Sequence, residues 1–155
     1  IPFQYPSNNL AMANEEAQAI AGYLNEVGIN AKLEPMEYTA FFPAWSQRKM
    51  TGMYLFAFGS SPYDADSSMN GLYEAGSRIY EVIPEIDALA KEQRKQTDPD
   101  KRRALFAEIF EISQQTLPYI PLYYEVQAYA LRKGIEWKPR PDGYVRFYEV
   151  TPVAD

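Results

Sequence analysis

A chain of 155 residues is the size of one domain and can bury roughly two thirds of the surface its unfolded form exposes. Its 46% apolar and 23% charged residues make a globular composition and exclude a disordered or collagen-like one. With no cysteine and no histidine, disulfides, thiol nucleophiles, Cys/His zinc sites and Ser-His-Asp triads are excluded, and a net charge of −6 argues against a nucleic-acid partner.

Ile1 to Tyr5 is short, apolar and aromatic, a strand leading into the polar turn Pro6-Ser7-Asn8-Asn9. A helix follows, with Ala17, Ile20, Ala21, Leu24 and Val27 spaced as one buried stripe. Asn14 is the expected N-cap, Glu15 and Glu16 suit the helix dipole, and Gly28 stands where a terminating glycine belongs. Ile29, Ala31 and Leu33 then alternate with Asn30, Lys32 and Glu34 at strand period, completing a βαβ unit. A second helix is expected over 39–49, with Phe42 and Trp45 inward and Pro43 in its first turn. Gly52 releases the chain into Met53–Phe58, which lacks polar alternation and reads as an interior strand covered on both faces.

From Gly59 to Asp66 the chain turns small, polar and acidic, just past the carboxyl end of that strand, where open α/β sheets place ligands. A short helix over 67–73 is possible. One helix then starts near Pro84, with Ile86, Leu89, Ala90 and Gln93 along one side. The next has Asp98 as N-cap and Pro99 at its first position, with Leu105, Phe106, Ile109, Phe110 and Ile112 inward. Ile120–Leu131 is a long β-prone run with Pro121 near its start. The tail from Trp137 holds three prolines and the turn Pro141-Asp142-Gly143, after which Tyr144–Tyr148 is a further strand candidate. The fold class is therefore α/β: an open, mainly parallel sheet with flanking helices, a βαβαβ core, then helices and a C-terminal strand. Residues 1–136 are expected to form the lobe and 137–155 an extension.

Chemistry-bearing patterns are few. Asp64 and Asp66 form a lone D-x-D, without the Gly and distal Glu of a calcium loop, so loop solvation and helix capping explain them better than a metal. Neither dinucleotide nor P-loop glycine patterns occur, and Ser60 and Ser61 lack a G-x-S-x-G frame, so no cofactor and no catalytic residue is implied. The mixed charges of Lys91–Arg103 read as a solvated helix face. Aromatics are the distinctive feature, at 13 Tyr, 8 Phe and 2 Trp. Most belong to the core, while Phe58, Tyr63 and Trp45 stand near the polar loop and can face a ligand. No apolar run approaches the roughly 18 residues that span a bilayer. The opening Ile1-Pro2-Phe3 has neither an initiator Met nor a leader pattern, so an excised piece of a longer protein is one expectation.

Five blocks in order are N-E-E-A-Q-A-I-A-G-Y-L-N-E-V-G-I-N at 14–30, G-M-Y-L-F-A-F-G with D-A-D at 52–66, I-P-E-I-D-A-L at 83–89, T-D-P-D-K-R-R-A-L-F at 97–106 and L-P-Y-I-P-L-Y at 117–123. Together they resemble the C-terminal lobe of the peptide/nickel/oligosaccharide class of extracytoplasmic solute-binding proteins of bacterial ABC transporters. That resemblance implies one lobe of a type II periplasmic-binding-protein fold. It also implies a missing N-terminal lobe, a membrane permease as partner, and a periplasmic or extracytoplasmic location. In peptide-binding members the corresponding strand ends in a Trp followed by an Asp that pairs with the ligand's amino terminus. Here Phe58 holds the aromatic position and Ser61 stands about where that Asp would be, with Asp64 and Asp66 slightly later. The departure removes the carboxylate partner of a buried ammonium. Ser60, Ser61 and their aromatic neighbours suit a neutral, hydroxyl-rich ligand such as an oligosaccharide.

The expected function is thus non-enzymatic capture of a peptide or oligosaccharide-like solute, with Phe58, Ser60, Ser61, Tyr63, Asp64, Asp66 and Trp45 as ligand contacts. An uncovered apolar patch is expected at the Phe58 end of the sheet. Two rivals stand beside this reading. One is a carboxylate- or metal-dependent hydrolase using Asp64, Asp66 and a distant Glu; the other is an interaction module that dimerises through its aromatic surface.

Overall fold

The computed structural model describes residues 1–59 and 64–153. Its core is the anticipated β-α-β-α-β. Strand β1 (Pro2–Pro6) is followed by helix α1 (Ala13–Glu26), β2 (Lys32–Met36), α2 (Tyr38–Ser46) and β3 (Met53–Tyr54). The three strands are parallel in the order β2-β1-β3, with Phe3 opposite both Leu33 and Met53. The interior strand is therefore β1, with Phe3, Gln4, Tyr5 and Pro6 all buried. The expectation that Met53–Phe58 is interior is corrected: among the described residues β3 pairs on one side only, and Leu55 extends it with one N–H bond to the Gln4 carbonyl. The covering of both faces is as expected. Met53 and Leu55 pack under α1, while Tyr54, Phe56 and Phe58 pack under α2. Covering both faces produces the apolar run, and it says nothing about lateral neighbours.

The first helix meets the sheet through small residues. Ala13, Ala17 and Ala21 are buried against Phe3, Tyr5 and Leu55, with Ile20 and Leu24 beside them. Its N-cap is Met12, in the left-handed region and without a side-chain cap, rather than Asn14, which falls inside the first turn. Val27 is exposed rather than inward because it is the residue that closes the helix. There Gly28 (φ 83°) donates to the Asn25 carbonyl and Ile29 to the Leu24 carbonyl, a Schellman closure that uses glycine's access to positive φ. That closure consumes Ile29, so β2 begins at Lys32 rather than at residue 29. Pro35 sits in β2, where an edge strand tolerates a missing donor.

Helix α2 packs on the opposite face. It starts at Tyr38, so Phe41 and Trp45, four apart, are the buried pair. Phe42, expected inward, turns to the rim, and Pro43 lies beyond the first turn. Buried Gln4 ties this face together: its Oε1 accepts from the Thr51 N–H at 3.0 Å and its Nε2 contacts the Met36 sulfur at 3.9 Å.

The second half of the chain is a helical layer. Helix α3 (Ala65–Ser68) runs into a π-helical turn (Met69–Tyr73), followed by α4 (Pro84–Gln93) and α5 (Pro99–Thr116). Met69, Ile86, Ala90 and Ile109 form a separate core, flanked by Tyr73, Leu89, Phe106 and Ile112. The capping of α5 is as anticipated: the Asp98 carboxylate accepts from the N–H groups of Asp100 and Lys101, with Pro99 at the first position. Phe110 is exposed rather than inward, because the buried face of α5 is the narrow Ile109–Ser113 stripe. Leu117 ends the helix at φ 46°.

Beyond it the expectations change. Ile120–Leu131 forms no strand and is exposed throughout. Tyr144–Tyr148 is not a strand either; Phe147–Glu149 makes a 3-10 turn, held by the Arg140 ion pair to Glu149. Instead β4 (Ile135–Glu136) pairs antiparallel with β5 (Thr151–Pro152). No helix among the described residues is long and apolar enough to cross a membrane.

Candidate functional site

The carboxyl ends of three parallel strands converge on one rim, because Pro6, Met36 and the continuation of β3 share one register. On this rim Ser7 donates through both N–H and Oγ to the Met36 carbonyl, and Asn8 Oδ1 accepts from the Tyr38 N–H at 2.8 Å. Asn8 also donates to the Glu37 carboxylate. These bonds fix the entry of α2 and so aim its aromatic face.

That face builds an aromatic wall with residues from beyond β3. The Trp45 ring stacks on Phe56 with centroids 4.2 Å apart, Phe41 lies 5.9 Å from Phe56, and Phe58 sits 6.3 Å from Phe56 and 6.5 Å from Trp45. Phe58 and Trp45 are therefore neighbours. Trp45, however, is only 1% exposed, so it forms the back of the wall. Phe58 is half-buried and Phe42 is its exposed flank. Gly71 of the π-helical turn lies directly against the Phe58 ring, where a Cβ would come within 2.4 Å of Cζ. Trp45 Nε1 is buried without a hydrogen-bond partner among the described residues. Tyr54 is a neighbouring hydroxyl, with Tyr119 beside it in turn; burial raises the pKa of both.

Arg78 completes the wall. Its guanidinium lies 5.0 Å from the Trp45 ring and 5.9 Å from Phe42, a geometry in which the ring faces attract the cation. Among the described residues no carboxylate pairs with it. Sequence reading missed Arg78 entirely. It is an isolated basic residue 33 positions from Trp45 in the chain (78 − 45), and no local pattern ties the two together.

Asp64 and Asp66 have partners of their own. Arg102 grips Asp64 with both Nη atoms, at 2.8 and 2.7 Å, and donates from Nε to Gln93 Oε1 at 2.9 Å. Gln93 in turn donates to Asp66, which also accepts from Arg94 Nε at 2.6 Å. Arg94 forks onto Glu74 at 3.0 and 2.5 Å. Asp64 also caps α3 by accepting from the Asp66 N–H. The two carboxylates thus clamp the start of α3 onto α4 and α5. The Arg102 guanidinium, helped by the Asp66 N–H, holds the Asp64 carboxyl below the usual carboxylate range. Among the described residues no group of three acidic side chains forms a metal-binding cluster. Ser60, Ser61 and Tyr63 lie outside the described residues.

The most exposed large apolar side chains are Tyr124, Val126 and Phe147 in the later segments, at 97%, 94% and 84%. An open depression of about 360 Å³ on the α4–α5 side, lined by Gln96, Pro99, Arg102 and Phe106, lies apart from the aromatic wall.

No protein-family model and no curated protein sequence matches the chain. Its structure is similar to the crystal structure of AppA from Clostridium difficile, described there as a peptide binding protein, with a TM-score of 0.62 at 21% identity. The match covers 76% of this chain and 25% of AppA, so the shared fold is a minor part of that longer polypeptide. At this identity the likeness establishes the α/β fold.

Proposed function

We propose that this chain is the C-terminal lobe of an extracytoplasmic solute-binding protein that delivers a peptide or oligosaccharide to an ABC permease. The carrying observation is the fold shared with part of AppA, a protein described as peptide binding. Residues 1–136 supply one wall of the pocket and 137–155 run towards a second lobe. Ligand sits at the carboxyl end of the sheet against Phe58, with Trp45 behind it, and Ser60, Ser61 and Tyr63 are further contacts of this reading. Asp64 and Asp66, held by their arginine pairs, contribute from the start of α3. Capture is by lobe closure around the ligand, without chemical conversion.

The aromatic wall serves a sugar ring or an apolar peptide side chain equally. Arg78 favours the peptide, because an unpaired guanidinium held over two rings suits a C-terminal carboxylate. The test is calorimetric titration of the product of the complete reading frame with tri-alanine, its C-terminal amide and maltotriose. Saturable binding of tri-alanine, weakened about tenfold or more by amidation or by Arg78→Gln, supports the peptide form. Maltotriose binding indifferent to Arg78 supports the oligosaccharide form. Turnover of any of these compounds, or binding of none across wider peptide and oligosaccharide panels, overturns the proposal.

A further inference from the structure

Helix α3 and the π-helical turn behind it form one continuous piece, residues 65–73, and that piece carries the Gly71 on which the Phe58 ring rests. Leu72 of the same turn packs on the core of Phe41 and Trp45. The placing of this piece therefore limits where the Phe58 ring can lie. One side chain holds both of its ends. Arg94, the residue that closes α4, donates from Nε to Asp66 in the first turn of α3 at 2.6 Å. Its Nη1 and Nη2 fork onto Glu74 at 3.0 and 2.5 Å. Glu74 in turn closes the π-helical turn, its N–H donating to the Met69 carbonyl at 2.9 Å in an i→i+5 step. In a plain α-helix, side chains eight residues apart stand about 80° from one another round the axis. The wider turn advances less per residue and brings the two carboxylates nearer to one face, where a single planar guanidinium can meet both. The neighbouring supports also come from α4. Fully buried Gln93 donates to Asp66 and to the Ala90 carbonyl, and Asp87 accepts from the Ala75 N–H at 2.7 Å just beyond the turn. That helix is itself fixed, since Ile86 and Ala90 are buried with Met69 in the second core.

We propose that Arg94 is a positioning residue for the solute site: by spanning both ends of the 65–73 piece it holds Gly71 against Phe58 and so sets the ring that faces the ligand. The inference rests on the reading of Phe58 as a ligand contact. Arginine is required at this position, because a lysine ammonium is a point charge on a flexible stem and cannot fork onto Glu74 while it holds Asp66.

Thermal unfolding of combined variants tests the clamp without any ligand. In the parent chain Gly71→Ala forces a Cβ onto the ring and is expected to lower Tm by roughly 2–12 °C. With Arg94→Gln the piece is free to recede, and the same Gly71→Ala penalty is expected to shrink by at least about a third, as coupled positions require. Arg94→Lys is expected to act like Arg94→Gln. Glu74→Gln, which leaves the arginine in place and weakens one end only, is expected to give a smaller relief, and it carries the test where Arg94→Gln leaves no cooperative transition. An arginine that merely adds stability would lower Tm yet leave the Gly71→Ala penalty whole in every background, and that result overturns the inference. Calorimetric titration of the product of the complete reading frame with tri-alanine and maltotriose supplies the second readout. Whichever solute binds is expected to bind about threefold or more weakly in both Arg94 variants. Unchanged affinity defeats this inference and leaves the proposed function standing. Relief of the Gly71→Ala penalty with neither solute bound upholds the clamp and counts against the function.

Discussion

Gly71→Ala probes the contact that holds the aromatic wall in place. An added Cβ at position 71 meets Phe58 Cζ at 2.4 Å and Cε2 at 3.0 Å, about 1 Å short of ordinary contact. The Phe58 ring cannot simply withdraw, since Phe56 and Trp45 stand 6.3 and 6.5 Å away on its other sides. Overpacking of this kind costs about 1–3 kcal/mol, which for a chain of this length lowers Tm by roughly 2–4 °C per kcal/mol. Ring removal reverses the sign. In a Phe58→Ala background the same Gly71→Ala change meets no ring, and alanine's helical advantage of about 0.5–1 kcal/mol is all that remains. A double-mutant cycle by urea unfolding therefore expects a coupling of about 1.5–4 kcal/mol between the positions. Equal cost of Gly71→Ala in both backgrounds refutes the contact and, with it, the claim that the π-helical turn positions Phe58.

Three further outcomes follow from the same geometry. Gly52→Ala places a Cβ 2.2 Å from the Pro2 carbonyl oxygen, a backbone atom of the central strand, so destabilisation of about 1–3 kcal/mol is expected in thermal unfolding. Ile109→Ala, which opens the fully buried second core, is expected to cost about 2–5 kcal/mol by the same assay. Asp64→Asn keeps the N-cap acceptor but discharges the Arg102 pair. Because both side chains are partly solvated, the expected loss at pH 7 is only about 0.5–1 kcal/mol. The Asp64 carboxyl is held below its ordinary value, so this contribution is present above about pH 4 and fades as acid titrates the folded form. The variant and the parent should therefore converge in stability as the pH falls through the lowered folded-state pKa, and a gap that stays constant on acidification would contradict the pairing.

Much of the fold is legible in the chain because periodicity is a local property. The i, i+3, i+4 stripe of α1, the Gly28 closure and the Asp98–Pro99 start of α5 each depend on residues within one or two turns. Legibility fails where one residue's rotation around a helix matters. A shift in the start of α2 exchanged Phe42 for Phe41 in the core, since neighbouring helical residues point about 100° apart. It fails again at Ile120–Leu131, whose strand pattern is plain but which forms no strand.

By itself, then, the amino-acid order determined the βαβαβ succession, the two long helices after it and the aromatic run that reaches the rim of the sheet. Only the tertiary structure decided that β1 is the central strand, and that Asp64 and Asp66 answer to Arg102 and Arg94. It alone decided that Arg78 lies over Trp45. Each of these is an encounter between residues distant in sequence, 38 positions for Asp64 with Arg102 and 28 for Asp66 with Arg94. Such encounters follow from strand order and helix packing, which no window of local propensity contains.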